Sequence, residues 1–118
     1  MAIETQGFLF GWTRVIPGRE AVAGELFAST MGYWEKLQKG GKIASFEPVF
    51  LQAHGGDLNG FFSIKGTHAQ LDAVKTDEEF VDITLRAGHC LDGVGVIPFY
   101  SGKVIGDIMA RWSKSAPR

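Results

Sequence analysis

The spacing of apolar and polar residues changes several times along the chain, and each change marks an element. Residues 7 to 17, GFLFGWTRVIP, are dense in aromatic and β-branched side chains and end at Pro17, as a strand does. Residues 19 to 38 switch to helical spacing. Val22, Leu26, Phe27, Met31, Trp34 and Leu37 share a stripe, and Gly40 and Gly41 supply the stop. Gly24 and Gly32 lie inside this helix and imply close packing there. Residues 42 to 54, KIASFEPVFLQAH, return to a strand pattern in which Pro48 demands an edge position or a bulge. Residues 58 to 66 read as a third strand. Residues 67 to 74 read as a short helix. Residues 76 to 89 read as a longer one, with Thr76 and Glu79 at capping-box spacing. Residues 90 to 102 form a fourth strand that holds Pro98. Residues 103 to 113 close the chain as an amphipathic helix with Val104, Ile105, Ile108 and Trp112 on one side.

This order, β-α-β-β-α-β plus a terminal helix, is the ferredoxin-like arrangement. It predicts an α+β fold and a single domain over residues 1 to 118, with a core from about 7 to 102. The antiparallel sheet would have four strands in the order 4-1-3-2. Strands 2 and 4 are then the edges, and they are the two that carry a mid-strand proline, Pro48 and Pro98.

The strands do not alternate cleanly between apolar and polar. Phe8, Phe10 and Trp12 point one way while Leu9 and Val15 point the other. Phe61 and Phe62 are neighbours, as are Val96 and Ile97, and Phe99 and Tyr100. Both faces of the sheet are therefore apolar. Helices on one face leave on the order of 500 Å² of the other uncovered, which calls for a partner. The simplest partner is a second copy, so a homodimer is expected. The element order, the VIPGRE turn into a long helix and the two-faced sheet resemble the dimeric α+β barrel superfamily. That group includes antibiotic-biosynthesis-type monooxygenases and muconolactone-isomerase-like proteins. The resemblance implies two sheets facing each other and a small-molecule pocket between the sheet and helices of each subunit. It matches no catalytic motif residue by residue.

Composition narrows the partners. The net charge is −1, and no RGFGFV-like run is present, so nucleic acid is not expected. A single cysteine, Cys90, excludes an internal disulfide and a multi-cysteine zinc site. The opening residues lack a basic n-region, and no apolar run is long enough to span a bilayer. A cytoplasmic protein without membrane attachment is the expectation. No cofactor is expected.

One end of the predicted sheet gathers Arg14, His54, Asp57, Asn59, His89 and Cys90. His54 and His89 fall on opposite edge strands, about 14 Å apart, too far to share a metal ion. His89 and Cys90, taken as successive strand residues, would point to opposite faces and chelate poorly. HGGD, residues 54 to 57, joins strand to strand, so it reads as a hairpin turn rather than a phosphate cradle. Within it, a bond from His54 to Asp57 would orient the imidazole as a general base. Trp12 beside Arg14 suits a planar acidic ligand. Of Tyr33 and Trp34, one is expected on the sheet and the other partly exposed. Two functions stand open. The first is a small-molecule-binding dimer, a cofactor-independent oxygenase or isomerase acting on an aromatic or hydroxylated substrate. Arg14, His54 and His89 would be its catalytic groups, and Trp12, Tyr33, Asp57, Asn59 and Phe62 its binding groups. The second is a non-enzymatic module whose aromatics simply pack. An apolar void of a few hundred Å³ reached by a histidine or arginine separates them.

Overall fold

A computed structural model describes residues 2 to 117. The elements are β1 (Gly7–Trp12), β2 (Arg14–Val15), α1 (Glu20–Lys39), β3 (Ser45–Phe50), β4 (Gly60–Lys65), α2 (His68–Lys75), α3 (Glu78–Cys90), β5 (Leu91–Asp92), β6 (Gly95–Phe99) and α4 (Val104–Ser115). The fold is α+β. Four strands form an open antiparallel sheet in the order β3-β4-β1-β6, and β2 and β5 pair as a two-stranded extension. The edge strands β3 and β6 hold Pro48 and Pro98, where a missing N–H costs no ladder bond on the solvent side.

α1, α2 and α3 cover one face of the sheet. Phe8 and Phe10 of β1 and Phe62 and Ile64 of β4 form that face and are buried. Against them pack Leu26, Tyr33, Trp34 and Leu37 from α1, Leu71 and Val74 from α2, and Phe80, Ile83, Ala87 and Cys90 from α3. Rings dominate the contact: Phe80 lies 5.5 Å from Phe10 and 5.5 Å from Trp34, centroid to centroid. Each fully buried ring of this kind contributes about 1.5–3 kcal/mol from burial alone.

Several sequence expectations shift here. The first strand is interrupted at Thr13, although its register against the chain that includes β5 and β6 carries through, from Gly11↔Gly95 to Arg14↔Asp92. The interruption sits opposite Gly93, whose φ is 67° and where a Cβ would fall 2.1 Å from the Thr13 hydroxyl. The second strand ends at Phe50, not residue 54. The fourth is shorter too, because α3 continues through His89 to Cys90 and leaves only β5 and β6. His89 and Cys90 are therefore the last turn of a helix and not successive strand residues.

The capping box belongs to Thr67 and Gln70 at the start of α2. Thr76 instead closes α2, and Asp77 precedes α3 with no side-chain cap. Two of the three acids at that start have other partners: Asp77 accepts from the Tyr33 hydroxyl at 2.6 Å, and Glu79 pairs with Lys36. On α1 the buried stripe is Ala23, Leu26, Thr30, Tyr33, Trp34 and Leu37, so Val22 faces outward and both Tyr33 and Trp34 are interior. Gly24 and Gly32 are not close-packed, since a Cβ on either would meet nothing within 4 Å.

The other face of the sheet carries Leu9, Val49, Phe61, Ile97 and Phe99, with Ser45, Glu47, Ser63 and Lys65 filling one corner. α4 contributes no buried residue, and Met109 and Trp112 are 54% and 66% exposed. Among the described residues, no helix is long and apolar enough to cross a membrane.

Candidate functional site

A cavity of about 320 Å³ opens between the N-terminal half of α1 and the covered face of the sheet. Its sheet side is aromatic: Phe10 and Trp12 from β1, Phe62 from β4 and Phe50 from β3. Phe27 of α1 completes the ring cluster, 5.1 Å from Phe62 and 5.2 Å from Phe50. The cavity exists because α1 presents small residues here. Ala23, Gly24 and Thr30 leave space where leucines would fill it.

Depth separates the lining residues. Phe10, Leu26, Thr30, Phe62 and Ala87 are buried and form the floor. Glu20 and Gly24 are exposed and Phe50 is 67% exposed, so these three form the mouth. Three lining side chains carry polar atoms, and that of Trp12 is the donor-only indole N–H. The Thr30 hydroxyl donates to the Leu26 carbonyl at 2.7 Å, within the helix. The Glu20 carboxylate accepts from the Gly18 N–H at 2.8 and 3.0 Å. No histidine, arginine or lysine lines the cavity.

The expected site residues divide accordingly. Trp12 and Phe62 line the cavity. Arg14 is exposed on β2, where its Nε pairs with Asp92 Oδ2 at 3.0 Å. It is therefore not the cation of an acid-binding pocket beside Trp12. His54 lies in the exposed turn after β3. Its Nδ1 accepts from the Gly56 N–H at 3.1 Å, which places the ring proton on Nε2, 2.9 Å from the Leu58 carbonyl. Both ring nitrogens are thus engaged by the turn itself. Asp57 is not the group that orients the imidazole. Asn59 donates to the Thr13 carbonyl at 2.7 Å and ties the turn to the end of β1. His89 is exposed at the end of α3, and its carbonyl accepts from the Arg19 guanidinium at 2.7 Å. The polar end predicted from the strand ends is therefore several separate local contacts rather than one cluster.

Tyr33 belongs to a different region, a more polar hollow of about 480 Å³ that also touches Lys42, Gln70 and Asp77. Burial, followed by the hydrogen bond to Asp77, pushes its phenol well above the usual range, so it stays protonated as a donor. Among the described residues, no three histidine, cysteine, aspartate or glutamate side chains converge as a metal set would. Cys90 is buried, with its thiol 3.6 Å from the Arg86 carbonyl.

Sequence reading missed Glu20, Ala23, Gly24, Phe27, Thr30 and Phe50 as lining residues. The available signal was the small residues Ala23 and Thr30 within AVAGELFAST, residues 21 to 30, on the inner side of a helix facing phenylalanines. Comparison of the chain with family models, with curated proteins and with solved structures finds no match.

Proposed function

We propose that this chain is a homodimeric small-molecule-binding protein of ferredoxin-like, dimeric α+β barrel type, and that the cavity between α1 and the sheet holds its ligand. The cavity carries this reading: about 320 Å³ of apolar space, walled by five aromatic rings and open at one end. A module whose aromatics only pack would fill that space. The uncovered sheet face, with Leu9, Phe61 and Ile97, supports the second half of the proposal, because it suits another copy of itself.

Binding is better supported than proton transfer. Arg14, His54 and His89 all lie outside the cavity lining, and each is engaged elsewhere through its side chain or carbonyl. An oxygenase or isomerase step by these three residues draws no support from the geometry.

A neutral fluorescent probe, N-phenyl-1-naphthylamine, tests the reading. It should bind saturably at one molecule per chain. Gly24→Trp fills the mouth from a position with open space in front of it, and should abolish binding while thermal unfolding stays cooperative. Equal binding by the wild type and a folded Gly24→Trp protein would refute the cavity as the site.

A further inference from the structure

The polar groups of the cavity restrict its ligand further, and we infer that it takes an aromatic amine bound as its ammonium ion. This inference rests on the binding role proposed above. Glu20 is the one charged residue of the lining, and it stands at the exposed mouth. The two arginines nearest in sequence are held elsewhere, Arg14 by Asp92 and Arg19 by the His89 carbonyl. At the floor, Thr30 has already given its hydroxyl proton to Leu26 and can only accept. Thr30 and Glu20 therefore present acceptors, and the one donor side chain of the lining is the uncharged Trp12 indole.

The walls point the same way. Trp12, Phe27 and Phe50 are mutual neighbours, with centroids 5.2 to 6.4 Å apart, and their faces favour a cation over an anion. Phe50 and Glu20 share the mouth. A ring system seated among the phenylalanines with an ammonium group directed outward meets the Glu20 carboxylate and the aromatic faces together. A carboxylate in that position would meet the like charge of Glu20 and no cationic side chain of the lining. The acidic ligand expected from Trp12 and Arg14 is thus replaced by a basic one.

The test uses three ligands with one ring system: 2-(1-naphthyl)ethylammonium, 1-ethylnaphthalene and 1-naphthylacetate. Each competes with the neutral probe on the full chain near neutral pH. The ammonium should bind roughly three- to tenfold tighter than the hydrocarbon. The acetate should be the weakest. Glu20→Gln should bring the ammonium to within about twofold of the hydrocarbon, with hydrocarbon binding retained. Glu25→Gln, on the same helix but outside the lining, should change nothing. Acetate binding as tightly as ammonium, with the hydrocarbon still bound, would overturn the amine assignment alone. An ammonium preference that survives Glu20→Gln would overturn the role given to Glu20 and leave the aromatic faces as its source. Failure of the probe and all three ligands to bind would remove the cavity reading and the amine with it. The wild-type series decides the matter even if Glu20→Gln does not fold.

Discussion

A methyl group added at Gly7 and one added at Gly24 meet opposite surroundings. At Gly7 a Cβ would fall 2.2 Å from the Phe99 ring and 2.4 Å from the Ile64 carbonyl oxygen. The ring can swing away, but the backbone oxygen of the neighbouring strand is fixed by the ladder. Gly7→Ala should therefore destabilise the protein by about 1–3 kcal/mol in urea unfolding. At Gly24, on the rim of the cavity, and at Gly32, on the exposed side of α1, a Cβ meets nothing within 4 Å. Gly24→Ala and Gly32→Ala should each stabilise by about 0.5–1 kcal/mol, by limiting the unfolded chain and improving helix propensity. Tyr33 gives a pH test. Its phenol titrates higher in the folded protein than in the unfolded chain, where the value is about 10. Its contribution is complete below that pH and is lost as pH rises toward the folded value. Tyr33→Phe should cost about 1–2 kcal/mol at pH 7 by leaving Asp77 without its donor. Above pH 10 the gap between wild type and variant should narrow.

Residue roles were only partly legible in the sequence. Trp12 and Phe62 could be placed because strand alternation fixes which way they face. His54 and His89 could not, since their surroundings depend on a turn closing on itself and on where α3 ends. In AGHCLDG, residues 87 to 93, the nearest left-handed glycine is Gly93, three residues past the observed helix end. Nothing earlier in that run marks the stop.

Elements were read more securely than residues. Four strands, three covering helices and a terminal helix all occur, and the prolines at 48 and 98 do lie on edge strands. The error on α1 is instructive. Counting large apolar residues rightly selected Met31, which packs against the core, but wrongly selected Val22 and passed over Ala23 and Thr30. A hydrophobicity count ranks those two low, yet their small volume is what opens the cavity. The uncovered sheet face invites its own substitution. Ile97 on edge strand β6 is 51% exposed, and its side chain leaves the protomer's core untouched. Ile97→Lys should keep the protomer folded, with a thermal midpoint measured by circular dichroism no lower than that of the dissociated wild type. It should also raise the dimer dissociation constant by at least about tenfold. α4 bears an apolar stripe through Ile105, Met109 and Trp112 that nothing in its own chain buries.

At the scale of the whole molecule, three helices cover one side of the sheet while apolar residues remain on the other. The covered side encloses the cavity, and the uncovered side is the proposed seat of a second chain. One chain has a mass of 12.9 kDa. Sedimentation equilibrium of the wild type at micromolar concentration and neutral pH tests that arrangement most directly. The proposed dimer should give a species of twice 12.9 kDa that shifts toward the single-chain mass in Ile97→Lys. A wild type that stays at 12.9 kDa throughout the micromolar range would contradict it.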